Sequence, residues 1–221
     1  MKKKTVMSWS SGKDSAWALY QLQNDPTIDL KGLLCTVNKE FDRVAMHGVR
    51  VELLQAQAQS IGLPLEIIEL PYPCSNEDYE AIMRGVVEKL QDDGIECMAF
   101  GDLYLQDIRA YREEKLVGSG IEPIFPLWEI PTDQLAREML AGGLKTVITS
   151  VDPKQISSEF AGRQYDEAFI AALPDSADPC GENGEFHSFV YDGPMFRQPV
   201  KVEVGEVVER DGFFFADVMP G

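Results

Sequence analysis

Residues 10–15 read Ser-Ser-Gly-Lys-Asp-Ser: three hydroxyls, a glycine, an ammonium and a carboxylate in six positions. Between a strand and a helix, such residues make an anion cradle. Backbone N–H groups at the helix N-terminus and the hydroxyls donate hydrogen bonds, Gly12 lets the backbone approach a phosphate, and Lys13 adds a point charge. The flanks suit that placement. The apolar run from Thr5 to Trp9 reads as a buried strand, and Asp14 to Leu22 has helical spacing with Trp17, Leu19, Tyr20 and Leu22 inward. A polar turn capped by Asp14 is the plainer alternative. The loop is not a Walker A sequence, because Met7 and Asp14 stand where that motif needs Gly and Ser or Thr.

A second stretch, Cys180-Gly-Glu-Asn-Gly-Glu-Phe-His187, places two carboxylates three residues apart beside a histidine. Asn183-Gly184 makes this a turn rather than a helix, so Glu182 and Glu185 either serve chemistry or decorate the turn. One of them can orient ammonia or accept its proton. His187 is one of two histidines, too few for a histidine-rich metal site, and has either a structural hydrogen bond or a role in the site. Asp14 and Asp102 are the carboxylates that could bind Mg²⁺, which takes one or two plus phosphate oxygens. Asp102 follows Gly101 at a strand end and either faces a ligand or caps the next segment. Arg109 and Glu113 are an i,i+4 pair, equally a substrate contact or a solvated ion pair. Trp128 reads as a packing residue.

These motifs, with Phe125-Pro-Leu-Trp128 and Val190-Tyr-Asp-Gly-Pro194 in this order, resemble the diphthine–ammonia ligase family of ATP pyrophosphatases over roughly residues 4–200. The loop is similar to the pyrophosphate (PP) loop of the adenine nucleotide alpha hydrolase superfamily, with Ser11 in place of the more usual glycine. The resemblance implies cleavage of ATP between the α and β phosphates. A carboxylate is adenylated, and ammonia then forms the amide; in the family the acceptor is a modified histidine of elongation factor 2. It further implies that Ser10, Ser11, Gly12, Lys13, Asp14 and Ser15 bind the leaving phosphates and that Thr36, Val37 and Asn38 flank adenine. Gly101 and Asp102 would line the cleft near the α-phosphate. Glu182, Glu185 and His187 would face the acceptor, with Lys13, Asp102, Glu182 and Glu185 as the catalytic set and Arg109 and Glu113 as substrate contacts. Met46 and His47 match a Met-x-His-like stretch approximately. Thr-Val-Asn38 and Met-His-Gly-Val-Arg50 look most like the short bacterial-type branch, where the acceptor would be another carboxylate, such as a small metabolite.

Positioning these residues requires a particular set of elements. Strands at Leu30–Val37, Leu65–Leu70 and Cys97–Phe100 alternate with helices at Val49–Ile61, closed by Gly62, and at Asn76–Leu90, opened by Ser75 or Asn76. This rhythm predicts an α/β fold: a Rossmann-like, doubly wound parallel sheet of PP-loop type, with ligands beyond the carboxyl ends of its strands. The expected division is an ATP-binding unit over 1–125 and a smaller α+β acceptor-binding subdomain over 126–221. In the second half, Tyr104–Val117 reads as a charged helix and Pro123, Pro126 and Pro131 as a rigid connection. Thr132–Leu140 reads as a helix capped by Thr132, and Lys145–Val151 as a strand. Val200–Val208 and Phe213–Val218 flank Arg210-Asp211-Gly212 as a terminal antiparallel hairpin, whose edge offers a site for a homodimer.

Composition narrows the class. A 44% hydrophobic and 26% charged chain of 221 residues is globular in character. With 20 Lys+Arg against 37 Asp+Glu the net charge is −17, which disfavours a nucleic-acid partner. The four cysteines lack Cys-x-x-Cys spacing, so neither a disulfide scaffold nor a zinc ribbon is expected; Cys35 and Cys97 read as core, and Cys180 as structural or near a site. No run nears the roughly 18 apolar residues of a membrane span, and Thr5–Trp9 is too short for a signal peptide, so a cytoplasmic location is expected. The competing functions are a nucleotide sensor without turnover and a tRNA-modifying enzyme of the same loop type. The second would call for paired cysteines and a basic surface.

Overall fold

The computed structural model describes residues 1–41, 43–44 and 48–221. Met46 and His47 lie outside the described residues. Strand β1 (Lys3–Ser8) leads through the serine-rich loop into α1 (Lys13–Asn24), and β2 (Ile28–Asn38) follows. Next come β3 (Arg43–Val44), α2 (Val51–Ile61), β4 (Leu65–Leu70), α3 (Asn76–Asp92), β5 (Cys97–Ala99), α4 (Gln106–Leu116) and β6 (Glu122–Ile124). Strands β4, β2, β1, β5 and β6 lie side by side and all pair in parallel. Strand β3 adds a short antiparallel strip to the far end of β2. Because β1 has β2 on one side and β5 on the other, the order of connections reverses there and opens a crevice at the carboxyl ends.

The two-residue period of the strands sends alternate side chains to opposite faces. Val6, Leu34 and Met98 join one buried cluster, whereas Met7, Leu33, Cys35 and Ala99 join the other. Cys97 is fully buried as well, as its apolar run implies. Helix α2 ends at Gly62, whose φ of 79° is the left-handed conformation that closes a helix. Ser75 Oγ caps α3 by accepting from Asp78 N at 3.1 Å. Pro123 sits on β6, which among the described residues pairs only with β5, and an edge strand tolerates its missing donor.

The second half forms α5 (Thr132–Ala141), β7 (Lys145–Val151), a 3₁₀ turn at Ser158–Phe160, α6 (Glu167–Ala172), β8 (Phe186–Asp192), β9 (Val202–Arg210) and β10 (Phe213–Pro220). These strands make an antiparallel sheet in the order β8-β7-β10-β9. Asp211 and Gly212 both have positive φ, 52° and 82°, as a two-residue hairpin turn with the twist of its strands requires. One sequence expectation changes. Thr132 does not cap α5: Pro131 holds that position, and the Thr132 hydroxyl is used instead by Asp178 Oδ2 at 2.6 Å. His187 lies on a strand, because β8 completes the sheet against β7. One hydrophobic cluster runs from Leu19 and Leu54 to Ile148 and Phe189, joining α1 and α2 to the antiparallel sheet. Among the described residues, no helix is long and apolar enough to cross a membrane.

Candidate functional site

The serine-rich loop sits at the crevice and is fixed from three sides. Trp9 N donates to Leu34 O at 2.7 Å, and Ser15 Oγ stands 3.0 Å from both Ser10 Oγ and Gly12 O. Gly12 N donates to Ser10 Oγ at 3.3 Å and Lys13 N to Ser188 Oγ at 3.2 Å. Gly12, not Asp14, is the N-cap of α1, which leaves the first turn without a side-chain cap. The loop is also tied to β8: Ser11 O accepts from Val190 N at 3.0 Å and from Gln57 Nε2 at 3.1 Å. Gln57 is fully buried, donates to Val190 O at 2.6 Å and accepts from Trp9 Nε1 at 3.0 Å. Sequence reading overlooked Gln57 because it appears there as one polar residue in an amphipathic helix.

Ser11 holds φ at 68°, a left-handed conformation that disfavours any side chain, and its buried Oγ has no hydrogen-bond partner among the described protein atoms. Glycine suits this position on both counts. Ser11→Gly is therefore expected to stabilise the fold by about 1 kcal/mol, after subtracting the extra unfolded-state freedom of glycine. A urea titration reads this as a higher midpoint with unchanged slope, and a lower midpoint would refute the strain argument.

Lys13 is 2% exposed. Its ammonium lies 2.9 and 2.8 Å from the two carboxylate oxygens of Asp14, donates to Cys180 O, and sits 5.4 Å from the Phe186 ring centre and 5.9 Å from that of Tyr165. Burial, the largest single influence, pulls its pKa down. The Asp14 charge and hydrogen bond, together with Cys180 and Glu182, outweigh it, so the pKa is raised and the lysine is held in its charged form. Lys13 thus joins the phosphate-type loop to the loop that carries Glu182.

The two glutamates of that loop are not equivalent. Glu185 is 1% exposed, and its carboxylate accepts from Asp178 N at 2.7 Å, Asn183 N at 2.9 Å and Asn183 Nδ2 at 3.2 Å. It knits the turn together from inside and does not line the cleft. Glu182 does line the cleft. Burial, reinforced by the nearby Asp14 charge, pushes its pKa up to about 7, even though Leu103 N donates to it at 2.8 Å. His187 lines the cleft as well, and burial, aided by the Lys13 charge, lowers its pKa to about 4, leaving a neutral imidazole at pH 7. Cys180 is 1% exposed, and burial pushes its thiol up to about 12, so it is an inert thiol beside the site rather than a nucleophile.

The cleft has a volume of about 870 Å³ and begins at Ser10, Lys13, Asp14 and Ser15. Thr36, at the end of β2, is on its wall, and so are Gly101 and Asp102. Val37 is buried, and Asn38 Oδ1 accepts from Glu40 N at 3.0 Å in a local turn; neither lines the cleft. Gly101 packs directly on α1, where an added Cβ would fall 2.9 Å from Ser15 N and 3.0 Å from Asp14 C. Gly101→Ala would push the strand end away from the loop and is expected to destabilise the fold by about 2 kcal/mol while loosening the loop. Unaltered melting would remove this contact from the design of the site. Asp102 is 3.6 Å from Arg112 Nε, and its Oδ2 and that Nε are both buried without a hydrogen bond among the described protein atoms. Burial raises the Asp102 pKa against the opposing Arg112 charge.

Arg109 and Glu113 form an ion pair at 2.7 Å outside the cleft, with the guanidinium 4.6 Å from the Trp128 ring centre and 4.8 Å from that of Phe125. The cleft-facing arginine of α4 is Arg112, which was not among the sequence candidates. Its i,i+3 spacing from Arg109 was the available signal, but only the docking angle of α4 selects between them.

A doubly wound sheet with a serine-, glycine- and lysine-containing loop at its switch point defines an α/β protein of the PP-loop type. The chain belongs to the diphthamide synthase family: residues 3–122 match the model "Diphthamide synthase N-terminal domain" and residues 131–217 the model "Diphthamide synthase C-terminal domain". Rat diphthine–ammonia ligase is 26% identical, over 95% of this chain and 86% of the rat protein, and the human enzyme is 24% identical over the same shares. The tRNA thiolase NcsA of Methanococcus maripaludis, solved with its [4Fe-4S] cluster, aligns with 63% of this chain and 58% of its own at 20% identity and a TM-score of 0.40.

Proposed function

We propose that this protein is an ATP-dependent amide ligase, and one observation carries the reading. The loop bearing Glu182, a cleft-facing carboxylate with a pKa of about 7, is tied to the phosphate-type loop through Lys13 and Cys180 O. A proton acceptor near neutrality beside an anion cradle suits a reaction that activates a carboxylate and then deprotonates an incoming amine.

In this reading Ser10, Lys13, Asp14 and Ser15, which line the cleft, meet the triphosphate, Ser11 and Gly12, buried behind them, shape the loop, and Thr36 flanks the nucleoside. The acceptor carboxylate attacks the α-phosphorus, the bond to the β-phosphate breaks, and pyrophosphate leaves against the N–H groups of α1. Ammonia attacks the acyl carbon, Glu182 takes its proton, and the carbon–oxygen bond breaks to release AMP and the amide. His187, neutral at pH 7, orients a reactant by hydrogen bonding. Glu185 shapes the turn rather than meeting substrate. Magnesium fits the residues present, since it is commonly held by one or two carboxylates with phosphate oxygens and Asp102 Oδ2, although 3.6 Å from Arg112 Nε, makes no hydrogen bond among the described protein atoms; Asp14 is paired more tightly, at 2.8 Å with Lys13. Bound there, the ion would offset phosphate charge. The nucleotide-handling role falls to residues 1–125, and residues 126–221 contribute the Glu182 face.

The test is to incubate the protein with ATP, Mg²⁺ and ammonium, with and without a metabolite extract, and to identify the nucleotide products. AMP and pyrophosphate, increased by the extract, are expected. ADP and phosphate would overturn the reading.

A further inference from the structure

The cleft is larger and more apolar than a nucleotide site at the loop requires. Beyond Asp102 it continues along the sheet between α3 and α4, over a floor that includes Leu34, Met98 and Phe100. Helix α3 supplies Tyr79, Met83 and Val87 to one wall, and among its 17 residues only Leu90 is buried. Its inward side chains Tyr79, Met83 and Val87 pack on the cluster of Leu34, Met98 and Phe100 yet stay only partly buried, so they keep surface toward the cleft. Overhead, Lys115 and Glu80 pair at 2.8 Å and join the two helices. At 870 Å³ the whole cleft is near the upper end of the range for small-molecule sites, which gives room for two reactants in one enclosure.

At the junction between this apolar arm and the phosphate-type loop stand Arg112 and Asp102. Arg112 lies over the Phe100 ring at 5.0 Å and pairs through Nε with Asp102 Oδ2 at 3.6 Å, too long for a hydrogen bond, so its buried Nε–H makes none among the described protein atoms. Gly101 holds this junction against the first turn of α1. The anions of a nucleotide are its phosphates, which the loop accommodates, and its nucleoside is uncharged. A guanidinium next to the loop whose Nε–H makes no hydrogen bond, although Asp102 balances its charge from 3.6 Å, can therefore donate to an anion of the other reactant.

We infer that the acceptor is a small carboxylic acid with an apolar or aromatic body: the body lies between α3 and α4, and Arg112 holds the carboxylate beside α1. The inference rests on the ligase reading for the acid's purpose, but the pocket itself can be tested by binding alone. It assigns the acceptor's body to residues 1–125 rather than to 126–221.

Phenylbutyrate, phenylbutanol and butyrate serve as probes, titrated calorimetrically into the protein saturated with α,β-methylene ATP. Phenylbutyrate is expected to bind at least about tenfold more tightly than the alcohol, because only the acid meets the guanidinium, and more tightly than butyrate, because only the longer probe fills the arm. Arg112→Lys, which keeps charge but loses the planar fork, is expected to narrow the gap between acid and alcohol, and Met83→Trp to exclude both phenyl probes. Nucleotide titration and melting of each variant confirm that it is folded. Absence of phenylbutyrate binding to the wild type, equal binding of acid and alcohol, or full binding by folded Met83→Trp would overturn the pocket. Selective binding that Met83→Trp removes supports it, even if ATP is cleaved to ADP, in which case the ligase reading alone fails.

Discussion

Lys13→Ala is expected to lower ATP turnover by about 10²–10³-fold, the scale on which a preorganised charge at a reacting phosphate or carbonyl acts. The same change should destabilise the fold by about 3 kcal/mol. The ammonium is almost wholly buried, so its loss leaves the Asp14 carboxylate and the Cys180 carbonyl without the donor that links them. The two effects separate in a double variant. Lys13→Ala with Asp14→Asn removes the uncompensated carboxylate and should recover much of the melting temperature, yet it should recover none of the turnover. Turnover of the single variant within threefold of wild type would take Lys13 out of the chemistry and leave it as a structural tie.

Glu182→Gln is expected to reduce amide formation by about 10²–10⁴-fold while nucleotide affinity changes little, because the amide keeps the hydrogen bond from Leu103 N but takes up no proton. In the wild type the rate should rise with pH around 7, as the carboxylate loses its proton, and the variant should lack that rise. Stability should respond in the opposite direction. The folded-state pKa, about 7, is above the unfolded value of about 4.5, so the native state binds the extra proton between them. The resulting contribution is complete below about pH 4.5 and disappears as pH rises through 7. With part of the group reached by solvent, about 1–2 kcal/mol should separate pH 5 from pH 8. Urea midpoints of wild type and Glu182→Gln at those two pH values isolate the term. An equal change in both proteins would deny Glu182 its raised pKa.

What could be read from the chain followed the range of the physics. The strand-to-helix passage around Ser10–Ser15, the βα alternation through β5 and the Asp211-Gly212 hairpin depend on residues a few positions apart, where hydrophobic period and turn chemistry act. Gly62 and Ser75 were legible for the same reason, since a helix end is a local problem in backbone hydrogen bonding. Strand β8 was harder, because Phe186–Asp192 becomes a strand only once β7 is beside it.

The sequence by itself determined the class of protein and the loops that bear its chemistry. The tertiary structure decided which residues of those loops meet the cleft. Glu182 and Glu185 are the same amino acid in one turn, yet Asp178 N and Asn183 draw one inward while the other faces the cleft. Arg109 and Arg112 are one helical turn apart, yet the docking of α4 stacks the first on Trp128 and places the second by Asp102. Lys13 meets Cys180 across 167 residues of chain. Local periodicity has no term for such meetings, which arise only when the two sheets pack and bury their shared core.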